Sequence, residues 1–211
     1  MWYLGYYKIA SETSRQQAMF TVTIPNEKTF EEGMKYKRKQ GLEAASAKQI
    51  PVKVHQIFYI PLQSEDFLTL ETLDDRSQPI LYTENTGCPF EVNLIDYDQT
   101  EYVRARIVAD IDWEFPKTEN SDKTFDKIEE ITHVEAIILD LHGGAFMFGS
   151  SLKQLKYSEY YATTTKYPVV TLDYRLAPDH KFPSSINDCW QAYLWLIKYS
   201  EKYLKLRFDK I

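Results

Sequence analysis

The feature that most constrains the fold is a change of pattern near residue 131, where strand-like and helix-like segments begin to alternate. The segment HVEAIILDL, His133 to Leu141, is a nearly continuous apolar run of strand length, which predicts a strand buried on both faces. A helix-like segment from Ser151, a second apolar strand YPVVTLDY and a long amphipathic helix from Ser184 follow it. This order predicts an α/β fold with a mainly parallel sheet and flanking helices.

The chain before residue 131 has a different pattern, in which one helix and several strands are separated by polar segments. A helix is predicted from Asn26, and a strand from Pro51 to Leu62. In EYVRARIVAD, from Glu101, apolar residues alternate with largely basic ones, which favours a half-buried antiparallel strand. Two further short strands are predicted, around Ile80 to Tyr82 and Glu91 to Ile95.

The polar stretch FPKTENSDKTFDKIEE, Phe115 to Glu130, has almost no apolar periodicity and is the best candidate for a linker. We therefore predict two domains. Residues 1–130 form an α+β N-terminal region, and residues 131–211 form the α/β part.

Charge and composition exclude several classes of function. The net charge is −6, and the one basic run, Lys35 to Lys39, shares its predicted helix with acids, so it indicates a solvated face and not a nucleic-acid site. Cys88 and Cys189 lie far apart without CxxC spacing, which indicates neither a disulfide framework nor a zinc site. Without a signal-peptide pattern or an apolar run of membrane-spanning length, we expect a cytoplasmic chain with no transmembrane segment.

Two motifs carry the chemistry, one after each predicted strand of the α/β part. HGGAFMFGS, His142 to Ser150, places glycines at a strand-to-helix turn, where backbone N–H groups can face an oxyanion. DYRLAPDHKF begins at Asp173, where the next strand ends, and taken alone it favours a structural role. Two glycines alone could equally make only a tight turn, so the pair of motifs decides the interpretation.

With both motifs in this order, the chain resembles the hormone-sensitive lipase family of carboxylic-ester hydrolases, over His133 to Ile211. The resemblance implies the front half of an α/β-hydrolase fold, an acyl-ester or lipid substrate, and neither metal nor organic cofactor. It implies an oxyanion hole at Gly143, Gly144 and Ala145, and Phe146 and Phe148 as candidates to line the acyl site. It also implies structural roles for the remaining motif residues and a nearby acid, namely His142, Asp173, Tyr174, Arg175, Pro178 and Asp188.

The sequence departs from the family pattern in two places. Ala145 replaces the third glycine of the HGGG-type motif, so a positive φ there would be costly. No GxSxG string occurs in the 211 residues, and the triad order in this fold is Ser, then Asp or Glu, then His. We therefore expect that the catalytic nucleophile, acid and base are all absent and that this chain alone is inactive.

The other histidines and the second cysteine are expected to be structural. His55, His133 and His180 have no nucleophile at a recognisable spacing, and Cys189 in the long helix is more typical of a small buried apolar residue.

Two functions remain open from the sequence. The first is an esterase or lipase whose serine lies outside this chain, and the alternative is a non-catalytic lipid-binding or regulatory fragment. The strand over residues 134–141 would also have an unpaired apolar edge, because its second neighbour in this fold is the nucleophile-bearing strand. We therefore expect self-association.

Overall fold

The computed structural model describes residues 52–63, 68–75, 78–81, 98–116 and 130–211. The helix predicted from Asn26 and the strand predicted at Glu91 to Ile95 lie outside these residues, as does most of the predicted linker. The described strands and helices are, in chain order, β1 (Val54–Pro61), β2 (Ile80–Leu81), β3 (Tyr102–Ala109), β4 (Thr132–Ala136), β5 (Ile138–Asp140), α1 (Ser151–Thr165), β6 (Val169–Asp173), α2 (Ser184–Tyr199), a π-helical turn (Ser200–Leu204) and β7 (Leu206–Lys210).

The main sheet has five strands in the order β2-β1-β3-β6-β5. β3 pairs antiparallel with both β1 and β6, and β5 runs parallel to β6. Helices follow β5 and β6, as expected for the predicted front half of an α/β-hydrolase fold. The sheet is mixed, however, and three of its four described strand pairings are antiparallel, so the expectation of a mainly parallel sheet is wrong, because β1, β2 and β3 from the earlier part of the chain join it antiparallel. None of the helices in this described part is both long and apolar enough to cross a bilayer.

The two faces of the sheet have different chemistry. On one face, apolar side chains of β1, β3 and β6, such as Phe58, Ile107 and Leu172, share a core with Trp195 of α2. The Phe58 and Trp195 rings lie 5.9 Å apart. On the other face α1 covers a polar layer that includes Arg106, which is only 2% exposed. The expectation that β3 is half-buried is therefore wrong, because its basic face lies beneath a helix and not in water.

The apolar run from His133 divides between two neighbours. β4 pairs in parallel with β7, and β5 pairs in parallel with β6. His133 and Glu135 of β4 are exposed, so this strand is not buried on both faces as its composition predicted. Its edge is not wholly free either, because Val134 and Ala136 stand opposite Phe208 and Lys210 of β7.

The main sheet crosses the domain boundary that the linker suggested. β1 and β3 precede residue 130, β5 and β6 follow it, and all four belong to one sheet with a shared core. Every described residue belongs to one compact unit, Gly41–Ile211.

Candidate active site

The two sequence motifs meet at one edge of the sheet. β5 ends at Asp140 and β6 ends at Asp173, and since these strands are parallel neighbours, the segments that follow them lie side by side. The Ala177 amide donates a hydrogen bond to the Phe146 carbonyl at 2.8 Å. This contact joins the HGGAFMFGS loop to the DYRLAP segment.

His142 lies under this loop, 3% exposed, with its ring stacked on Tyr174 at 4.2 Å. The Tyr174 hydroxyl donates to the His142 carbonyl. The His142 Nδ1 donates to the Gly143 carbonyl at 3.1 Å, so Nδ1 carries a proton. Nε2 is buried with no partner among the described residues. These are the contacts of a side chain that orders the loop.

The loop backbone is unusual over three consecutive residues. Gly144 has φ of +137°, and Ala145 and Phe146 have φ of 55° and 59°, the left-handed region that non-glycine residues avoid. The Gly144 carbonyl accepts from the amides of Met147 and Phe148, at 3.0 Å each, which closes the turn. Such strain at a loop beside a strand end is typical of functional sites.

The strained turn leaves its own donors unused. Within the described residues, the backbone N–H groups of Gly143, Gly144 and Ala145 have no hydrogen-bond acceptor. Three adjacent free donors at the carboxyl end of a strand suit the predicted oxyanion hole, which stays a prediction.

Ala145→Gly is expected to raise the free energy of unfolding by about 0.5–1 kcal/mol, since glycine adopts φ near 55° without the steric penalty of a Cβ. Ala162→Gly is the control, because Ala162 lies inside α1, where glycine costs about 1 kcal/mol. Urea denaturation of both variants measures whether the free energy of unfolding rises or falls. A loss of stability in Ala145→Gly would show that this residue does not adopt the left-handed conformation in solution. Proline is unsuitable here because its ring fixes φ near −65°.

The two phenylalanines of the loop differ in exposure. Phe146 is 53% exposed, its ring 6.4 Å from that of Tyr174, whereas Phe148 is half-buried. An exposed aromatic side chain beside free amide donors suits an acyl-binding role, which for both residues stays a prediction.

The DYRLAP segment is fixed to α2 by an ion pair. The Arg175 guanidinium donates to both carboxylate oxygens of Asp188, at 2.6 Å and 3.0 Å, and the Arg175 amide donates to the same carboxylate at 2.8 Å. Asp188 is completely buried. Pro178 and Pro183, in the path between β6 and α2, both follow cis peptide bonds.

A group that sequence reasoning missed lies beneath the start of α1. Asp173 accepts from Arg104 at 2.6 Å and from the amide and hydroxyl of Ser151 at 2.5 Å and 2.7 Å. Arg106, next to this cluster, donates to His55 at 2.6 Å. The available signal was the pair of arginines two residues apart in a strand, with an acid at the end of the neighbouring strand.

Burial controls the charges of this group. It lowers the pKa of His55 to about 3, with help from the Arg106 charge, so the imidazole is neutral. Burial also lowers the pKa of Arg106 to about 10. Burial opposes the charge on Asp173, but Arg104, Ser151 and Arg106 outweigh it and hold its pKa below the usual value.

The remaining candidates lie apart from the loop chemistry. His133 is exposed beside Asp209 at 3.1 Å, and the His180 amide donates to Leu176. Burial and the Asp188 charge raise the pKa of Cys189 to about 12, so its thiol stays protonated. In the described ranges, no three His, Cys, Asp or Glu side chains lie together as metal ligands would.

Comparison with known proteins shows which proteins the chain is similar to. Residues 138–211, which include both motifs, match the model of a family with the α/β hydrolase fold. Hormone-sensitive lipase of Mus musculus is 26% identical over 147 residues, which are 69% of this chain and 18% of the mouse protein. The Bos taurus lipase is 28% identical over 144 residues, covering 67% of this chain and 18% of its own length. The α/β part of the chain therefore matches an α/β hydrolase family model, and the chain is similar to hormone-sensitive lipases.

Other similar proteins share shorter segments with this chain. An arylesterase of Saccharolobus solfataricus is 36% identical over 59 residues, 28% of this chain and 19% of the arylesterase. The chain therefore spans less than a fifth of the length of the mouse lipase, the bovine lipase and this arylesterase.

Solved structures agree on the fold. A thermostable carboxylesterase cloned from a metagenomic library has a TM-score of 0.50 and 21% identity, covering 84% of this chain and 44% of its own. An ester hydrolase from the metagenome of Lake Arreo has a TM-score of 0.51 and 16% identity, covering 93% of this chain and 47% of its own. At these identities the likeness shows the shared fold alone.

Proposed function

We propose that this chain supplies the oxyanion-binding front part of a carboxylic-ester hydrolase that acts on lipid or other acyl esters. The observation that supports the proposal is the row of free backbone donors at Gly143, Gly144 and Ala145, held by a strained turn at the end of β5. When a nucleophile adds to an ester carbonyl, the carbonyl oxygen becomes an oxyanion. Each donor aimed at that oxygen lowers the barrier by roughly 3 kcal/mol.

The nucleophile of the proposed reaction is a serine outside these 211 residues, because no GxSxG string occurs within them. Its oxygen bonds to the carbonyl carbon while a histidine takes its proton. The alcohol then leaves with that proton, and water releases the acid from the acyl-enzyme in the same two steps. In this chemistry His142 holds the loop, and another histidine takes the serine proton, because the triad histidine of this fold follows the serine and the acid in chain order.

The acyl chain of the substrate would lie against Phe146, the exposed aromatic of the loop, and Phe148 beside it. We place the protein in the cytoplasm, supported by cysteines without disulfide or metal-site spacing and by the free thiol of Cys189.

The 211-residue chain is expected to show neither hydrolysis of short-chain aryl esters nor labelling by a fluorophosphonate, because both need an activated serine. The same polypeptide continued past Ile211 with the encoded downstream residues is expected to be labelled at the serine of a GxSxG sequence. Intact-mass spectrometry measures the labelling of both chains. Labelling of the shorter chain would contradict the placement of the serine. Absence of labelling from a longer chain that contains GxSxG would favour a non-catalytic lipid-binding or regulatory protein.

Self-association of the chain is expected at the edge that continues β4 and β5. Leu141 is 48% exposed, and Ile138 and Leu139 are half-buried, so apolar surface lies beside a strand edge. β7 covers only the part opposite β4. Sedimentation velocity at micromolar concentration should show species larger than a monomer, and Leu141→Lys should reduce them. A purely monomeric wild-type chain would contradict this expectation.

A further inference from the structure

The polar layer beneath α1 connects the first strand of the sheet to the end of the candidate oxyanion loop. Arg106 of β3 lies 3.3 Å from the Ser151 hydroxyl through Nε, and 2.6 Å from His55 of β1 through an Nη atom. An arginine only donates, so His55 accepts through Nε2 and is neutral. His55 thus fixes the direction in which the Arg106 side chain extends.

Ser151 is where this layer meets the loop. Its amide and hydroxyl both donate to Asp173, and the preceding Ser150 caps α1 by accepting from the Lys153 amide at 3.2 Å. The loop therefore begins at the end of β5 and ends at Ser151, which is held by the Asp173 carboxylate. A shift of Ser151 would move the loop, since Gly149 packs directly against the His142 ring, leaving no room for a Cβ.

The polar layer holds positively and negatively charged side chains close to one another. Arg104 and Arg106 face Asp173, and Glu159 of α1 and Tyr59 of β1 also act on Arg106. Arg106 is 2% exposed, so a donor that loses its acceptor has no water to replace it. Removing the acceptor at His55 would therefore release Arg106 from its present direction and loosen Ser151.

We propose that His55 and Arg106 are positioning residues for the candidate oxyanion loop, acting through Ser151. Both lie upstream of residues 138–211, the part matched by the family model. The proposal rests on the proposed function for its catalytic consequence, but the position of the loop is measurable in this chain by itself.

A matched pair of variants tests the proposal. In His55→Gln the side-chain amide oxygen reaches about as far as Nε2 and still accepts, whereas in His55→Asn it falls short. His133→Asn, at an exposed strand histidine, is the control. In the 211-residue chain, hydrogen exchange over residues 142–153 is expected to quicken about tenfold in His55→Asn and to return towards wild type in His55→Gln. Exchange in β6 should stay unchanged in all three variants.

Unchanged loop exchange in a folded His55→Asn chain, or equal acceleration in β6 and the loop, would overturn the proposal. In the chain continued past Ile211, His55→Asn should lower kcat about tenfold at constant KM, with recovery in His55→Gln. Unchanged kcat despite faster loop exchange would overturn the catalytic part. If even the wild-type longer chain is inactive, the proposed function fails, while the exchange data still decide how the loop is positioned.

Discussion

Gly144→Ala is expected to cost about 3 kcal/mol or more of the free energy of unfolding, or to prevent the loop from closing. A Cβ on Gly144 would lie 2.1 Å from the Phe148 carbonyl oxygen, which is backbone and cannot swing away. The φ of +137° adds strain for any residue with a side chain. Urea denaturation of the wild type and the variant measures the loss.

Gly143→Ala is the matched control on the same loop. A Cβ there would meet nothing within 4 Å, and Gly143 is not among the residues with positive φ. We expect a change within about 0.5 kcal/mol. Equal losses in the two variants would show that the turn of the loop differs from the one described.

Asp188→Ala is expected to destabilise the protein by about 3–5 kcal/mol, because it leaves the Arg175 guanidinium without its buried carboxylate. The Arg175 amide loses its acceptor as well. Chemical denaturation is again the measurement, and an exposed acid in a surface contact provides the control. Asp209→Ala, next to His133, should cost less than about 1 kcal/mol.

The double variant Arg175→Met, Asp188→Leu tests whether the instability of Asp188→Ala comes from the unpaired Arg175 charge or from lost packing. Removing both partners should recover much of the stability lost in Asp188→Ala, since no buried charge then lacks a partner. A double variant as unstable as the single one would show that packing at these positions, and not charge, holds the DYRLAP segment on α2.

The order of the elements was predictable from the sequence because its signals are local. Apolar strand patterns and helix periodicity after His133 predicted β5, α1, β6 and α2, and the strand from Pro51 to Leu62 contains β1. The placement of both motifs at one sheet edge follows from parallel pairing of their strands.

Features that depend on contacts between distant segments were not predictable. Alternation in β3 marked its basic face as solvent-facing, because the sequence carries no sign that α1 covers Arg106 or that Asp173 neutralises Arg104. The apolar run from His133 divides into β4 and β5, which pair with different strands. This division depends on β7, which lies some seventy residues later in the chain than β4.

The conformation of the candidate site was predictable only in part. Replacement of the third glycine of the HGGG-type motif marked Ala145 as a position where positive φ would be costly. The structure has positive φ there and also at Phe146, where no sequence pattern signalled it. The contact between Arg175 and Asp188 likewise needed the structure, since they lie thirteen positions apart in the sequence with two prolines between them.

The most direct test of the central claim is steady-state hydrolysis of a short-chain aryl ester by the chain continued past Ile211, in wild-type and Gly143→Pro forms. Proline removes the Gly143 amide hydrogen at a position without positive φ, and thus one proposed oxyanion donor. We expect hydrolysis by the wild type and a kcat lower by about 10²-fold or more in the variant, provided that circular dichroism shows an intact fold. Equal kcat values for the two would contradict the claim.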